Sequence, residues 1–294
     1  MAVLRSQHAL TVSTPEGNKQ LAYQLWQPMA KTPQQLIVCV HGLTRNSRDF
    51  DFLAQQLAAD AWVVCPDIVG RGDSDWLDNS ALYGYPLYLS LMLQLLTELQ
   101  QQFSVSECDW VGTSMGGLIG MMLSASDEPL PLAIRQLVLN DVGHRIPFAA
   151  LSRIGEYVGQ SPRFMSLDEA ELYLRHIARS FGPLTAPQWR HLTQHSCQPQ
   201  QDDADGCYWQ LKYDPGIARA FLDLNGDVDL SVVWQQVQQP VLLLRGEESD
   251  LLLAETAGEM ASRPGVTLVQ FSQVGHAPML MDEEQIACVQ HFLQ

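Results

Sequence analysis

Five residues constrain this chain more than any others: Gly112-Thr113-Ser114-Met115-Gly116. An apolar run at 108–111 precedes them and a helical pattern over 115–126 follows. A serine at a tight strand-to-helix turn carries its Oγ clear of the sheet, and small neighbours are needed to let the chain turn there. The helix that follows aims its amino-terminal dipole at the same point, where negative charge is favoured. The motif therefore asks for strands that feed helices, with a nucleophile at the carboxyl end of one strand.

The rest of the chain supplies such a frame. Short apolar runs stand at 36–40, 62–65, 108–111, 136–139, 241–244 and 266–271. They are continuous rather than alternating, which suits strands of a parallel sheet buried on both faces. Helical spacing lies between them, in Phe50, Leu53 and Leu57, in Tyr88, Leu91, Leu95 and Leu99, and in Ile286, Val289 and Leu293. The opening reads as a hairpin, 8–14 against 19–26, around the turn at 15–18. Strand–helix alternation predicts a doubly wound α/β sheet. The rhythm breaks over 144–239, which predicts a core of 1–143 and 240–294 and an all-helical insertion of 144–239. Helices are expected at 148–158, 167–180, 186–195 and 215–224. That segment holds eleven of the chain's 24 aromatic residues, a load that suits an apolar ligand pocket.

Composition removes several classes of partner. Seventeen Lys and Arg stand against 33 Asp and Glu, a net charge of −16, which disfavours nucleic acid and anionic membranes. No 18-residue apolar window could span a bilayer, and the first residues lack the apolar core of a signal peptide. The six cysteines show no paired spacing; Cys39, Cys65 and Cys108 fall in or beside strand runs, so a reducing, cytoplasmic location is expected.

A serine hydroxyl needs a base. His276, in the loop 274–278 after the last strand run, returns to the sheet edge that holds Ser114. His8 and His291 read as structural, and His144, His176, His191 and His195 lie in or beside the insertion. His41 ends a strand run, and its role is to shape the loop it opens. The base in turn needs an orienting carboxylate. Asp250 is preferred, because it lies six residues beyond Leu244 in a polar loop long enough to fold back toward the histidine. Asp141, after the preceding strand, and Glu247 and Glu248 are competitors. The backbone N–H groups of Leu43 and Met115 are the expected oxyanion donors.

Taken together, residues 112–116, His41-Gly42, Asp250 and His276 resemble the α/β-hydrolase superfamily over essentially the whole chain, and 66–75 resembles the loop after that family's fourth strand. The resemblance implies a mostly parallel eight-stranded sheet flanked by helices, with an inserted helical cap. It implies a carboxylesterase-like serine hydrolase, with Ser114, Asp250 and His276 as the triad and an acyl-enzyme intermediate. The substrate would be a small-molecule ester with an apolar acyl or aromatic part, and neither metal nor organic cofactor is required. Ser114 in place of aspartate argues against an alkyl-enzyme mechanism. Carbon–carbon hydrolysis of a keto acid is the enzymatic alternative, weakened by the glycine-free loop Leu43-Thr44-Arg45-Asn46; a non-catalytic ligand-binding protein is the other.

Other signals are weaker. Gly70-Arg71-Gly72 lacks the third glycine of a dinucleotide loop. Arg71-Gly72-Asp73 is a short match to an adhesion tripeptide. His191 and His195 share a helix face near Cys197, Asp202, Asp203, Asp205 and Cys207, without a recognisable spacing for a third metal ligand. A calcium loop aligned on Gly206 would begin at Gln201 and end at Lys212, both unsuited to Ca²⁺.

Overall fold

A computed structural model describes residues 2–30, 32–202, 206–222 and 224–294. The chain opens with β1 (Val3–Thr14) and β2 (Gly17–Pro28), an antiparallel hairpin paired from Val3↔Pro28 to Thr14↔Gly17. Then follow β3 (Gln35–Val40), α1 (Asp51–Leu57), β4 (Ala61–Pro66), α2 (Tyr85–Phe103), β5 (Glu107–Thr113), α3 (Met115–Ser124) and β6 (Ala133–Asn140). The inserted segment carries β7 (Arg145–Ile146), α4 (Phe148–Gly155), α5 (Leu167–Ile177), α6 (Ala186–Ser196), β8 (Cys197–Asp202), β9 (Gly206–Leu211), β10 (Val228–Asp229) and α7 (Ser231–Gln236). The chain closes with β11 (Val241–Gly246), α8 (Ala254–Ala261), β12 (Val266–Phe271) and α9 (Glu283–Leu293).

Eight strands form one sheet in the order β1-β2-β4-β3-β5-β6-β11-β12, parallel from β4 onward. Every residue of β4 and β11 is buried, as their unbroken apolar runs predict. Phe50, Leu53 and Leu57 join Ile286, Val289 and Leu293 on one face. On the other, Leu91, Leu95 and Leu99 of α2 meet Leu118 and Ile119 of α3. From β3 the chain moves outward to β4, then returns to β5 on the opposite side. This reversal opens a crevice beyond the carboxyl ends of β3 and β5, where doubly wound sheets place their ligands.

The inserted segment departs from the all-helical expectation. Its strands β8 and β9 form an antiparallel hairpin from Cys197↔Leu211 to Asp202↔Gly206, and Phe164 adds a bridge by exchanging both backbone hydrogen bonds with Trp209. The physical cause lies in Cys197-Gln198-Pro199-Gln200-Gln201-Asp202, where Pro199 would break a helix and alternate residues are half-buried, a two-residue period masked by glutamines. The expected helix at 215–224 is a 3₁₀ helix, Pro215–Phe221. At the root of the segment β7 pairs with β10. Among the described residues, no helix is long and apolar enough to cross a membrane.

Candidate active site

Ser114 sits between β5 and α3 with φ 51° and ψ −114°, a conformation rarely adopted by a residue with a side chain. The glycines around it are obligatory. A methyl group on Gly112 would collide with the Gly116 carbonyl, and one on Gly116 with the Val40 carbonyl of the neighbouring strand. The turn is tied down by Ser114 N–H donating to Asn140 O at 3.0 Å.

His276 Nε2 lies 3.1 Å from Ser114 Oγ, and Nδ1 lies 2.8 Å from Oδ2 of Asp141. Asp141 is fully buried and stands directly after β6 with φ 55°. Its Oδ1 accepts from Gly246 N–H at 2.8 Å, and its Oδ2 also accepts from Ser249 Oγ at 2.6 Å.

The expected partnership of Asp250 with His276 is thereby corrected. Asp250 is half exposed and forms a bidentate pair with Arg153, at 2.5 and 2.9 Å. The cause is the turn after β11. Ser249 Oγ accepts from the amides of Leu251 and Leu252 at 3.2 and 3.1 Å, which directs Ser249 inward and its neighbour Asp250 outward. Glu247 and Glu248 are exposed. Sequence reasoning missed Ser249 altogether; no motif announces it.

His41 is buried and fixed as a neutral ring: its Nδ1 donates to Gly42 O at 2.7 Å, and its Nε2 accepts from Ile68 N–H at 3.0 Å. Burial pushes its pKa down to about 3. It shapes the loop that presents Leu43. Among the described residues the amides of Leu43 and Met115 donate to no other group. Arg71 braces both positions, with Nε on Leu43 O at 2.8 Å and Nη2 at 3.8 Å from Met115 Sδ. The Arg71-Gly72-Asp73 tripeptide thus contains a fully buried arginine, unavailable to any adhesion partner.

Ser114 and His276 open into a cavity of about 80 Å³, lined mainly by apolar side chains from both the sheet edge and the inserted segment. Of the segment's aromatics, Tyr157, Phe181 and Tyr213 line it; Phe164 and Trp189 are buried in packing, and Phe148 is exposed. Ser180 of the segment clasps the histidine loop, its Oγ donating to His276 O at 2.6 Å and its carbonyl accepting from Gly275 N–H at 2.7 Å.

Asp203 and Asp205 of the weighed metal set lie outside the described residues. His191 and His195 do meet a third candidate ligand, Asp51. Arg48 fills that cluster, its guanidinium bonded to Asp51 at 2.8 and 3.0 Å and 3.3 Å from His195 Nδ1. A fixed cation there opposes a metal ion. Burial first, then the Arg48 charge, pushes the His195 pKa down to about 3.

The model of the alpha/beta hydrolase family matches residues 37–287. The chain belongs to that family. It is similar to a 3-hydroxybutyrate-oligomer hydrolase of Cupriavidus necator, 42% identical over 95% of this chain and 94% of that protein. It is also similar to a pimeloyl-[acyl-carrier protein] methyl ester esterase of Nitrosomonas europaea, 27% identical over 86% of this chain and 93% of the other. Among solved structures, an alpha/beta hydrolase from Novosphingobium aromaticivorans superposes with a TM-score of 0.83, at 33% identity and 98% coverage of both chains.

Proposed function

We propose that this hydrolase cleaves carboxylic esters of short hydroxy acids, with 3-hydroxybutyrate oligomers as the leading class, through Ser114, His276 and Asp141. The observation that carries the reading is the unbroken hydrogen-bonded series Ser114–His276–Asp141 at the wall of a small cavity. The relative's name gives the substrate class. The cavity's size favours a short acyl group, since about 80 Å³ is well below the roughly 300–1,000 Å³ of drug-sized pockets.

In this reading His276 takes the Ser114 proton as Oγ attacks the ester carbon, and Asp141 holds the ring with Nδ1–H toward itself and stabilises the cation. The Leu43 and Met115 amides receive the oxyanion. The alcohol leaves with the proton from His276, and water repeats the steps to release the acid. Residues 144–239 act as a cap that sets which acyl and alcohol groups fit over a core of 1–143 and 240–294.

The test is Ser114→Ala, assayed on a linear 3-hydroxybutyrate dimer and on p-nitrophenyl esters of increasing acyl length. Loss of about 10³-fold or more in kcat with the fold intact is expected, alongside a wild-type preference for short acyl groups. Near wild-type turnover by the variant would remove the nucleophile assignment.

A further inference from the structure

In a chain of 17 basic and 33 acidic residues, the cavity lining holds two arginines, Arg45 and Arg153, and one aspartate, Asp49; Arg153 is paired with Asp250. Arg45 follows the oxyanion loop, and its backbone N–H donates to Gly42 O at 3.2 Å. Asp49 holds Arg45 from one side, with Nε and Nη2 each 2.7 Å from a carboxylate oxygen. The third nitrogen, Nη1, donates to no group among the described residues.

A second donor lines the same cavity. Ser196, the last residue of α6, has a buried Oγ without a hydrogen-bond partner. Arg45 and Ser196 are linked through their neighbours, Asn46 Nδ2 donating to His195 O at 2.8 Å. Leaving the buried Ser196 hydroxyl unmatched costs stability unless a ligand completes it, and Arg45 Nη1 is a free donor on the same cavity. Guanidinium nitrogens only donate, so the missing partner is an acceptor, and a carboxylate answers an arginine and a hydroxyl together.

Resting on the ester-hydrolase reading, we infer that Arg45 Nη1 and Ser196 Oγ form a subsite for a free carboxylate of the substrate, so that the preferred esters are acids themselves. Asp49 is the positioning residue. It fixes the fork so that Nη1 is presented without a loss of side-chain freedom on binding. The subsite separates an oligomer with a free acid end from one whose end is capped.

The experiment compares kcat/KM for the linear dimer of 3-hydroxybutyrate and for the same dimer as its methyl ester. Arg45→Gln combined with Asp49→Asn replaces the buried ion pair by a neutral one of similar shape, and Ser196→Ala removes a hydroxyl that holds nothing in the fold. The wild type favours the free acid. That preference is expected to fall about 10- to 100-fold in the double variant and about 3- to 10-fold in Ser196→Ala. A preference unchanged in either variant, because both substrates slow equally or neither slows, overturns the subsite, as does a wild type that favours the methyl ester. If the wild type cleaves neither dimer, the ester reading fails on its own. Calorimetry of the free-acid dimer on the Ser114→Ala protein then decides the subsite: binding lost when the Arg45 and Asp49 changes are added sustains it, and binding unchanged or absent from the start overturns it.

Discussion

The loops that follow β6 and β11 leave adjacent strands of one sheet at the same edge, and each offers an aspartate to His276. Asp141 is two residues from its strand's apolar run, buried, and bonded to Gly246 N–H, Ser249 Oγ and the imidazole. Asp250 has the longer tether and spends it on solvent and Arg153. The difference shows that reach is a poor guide to which carboxylate meets a histidine. What decides is where the surrounding donors are. Donors converge on the inner position, and a neighbouring arginine claims the outer one.

Three substitutions test this contrast. Asp141→Asn is expected to cost most, about 10³–10⁴ in kcat, because an amide cannot hold the imidazole in the required tautomer. Ester turnover of the purified variant, with circular dichroism to verify folding, reads the effect; a loss of that size at Asp250 instead would invert the assignment. Ser249→Ala comes next. Removing the hydroxyl takes one donor from Asp141 and one acceptor from the Leu251 and Leu252 amides. Stability should drop by about 1–3 kcal/mol in urea unfolding, and kcat by roughly 3- to 30-fold. Stability lost with kcat unchanged would mean that Ser249 only shapes the turn. The smallest effect belongs to Asp250→Asn. Its exposed pair should be worth at most about 1 kcal/mol, equivalent to less than about fivefold in kcat.

The sheet was legible in the sequence because its signals are local. The continuous runs of β3, β4 and β11 state their burial, and the two glycines around Ser114 state the tightness of the turn that carries it. His276 was legible from its place after the last strand. The carboxylate that meets its ring was not, because which one does so depends on the direction of one turn, set by the Ser249 hydroxyl and two amides beyond it. The β8–β9 hairpin was hidden for a different reason: a half-exposed ribbon rich in glutamine carries little contrast between its faces. Arg71 stands in the sequence only within short glycine-containing matches, since nothing there says that a charged side chain will be fully enclosed by backbone carbonyls and a tyrosine hydroxyl. Arg45 belongs to no motif; its loop stands out in the sequence only for lacking glycine.

The two-residue pairing of β7 with β10 brings the start and finish of a long excursion side by side, and Leu230 N–H donates to His144 O at 2.7 Å across the join. Closing a loop costs free energy only as the logarithm of its length, about 0.6 kcal/mol for each doubling. With the closure made at the stem, the length of chain beyond it adds little to the cost of that closure. Asp141, secured by its own N–H to Leu244 O at 2.8 Å, stands just before the stem begins. A change in the length of the excursion beyond the stem is thus expected to leave the place of Asp141 unmoved.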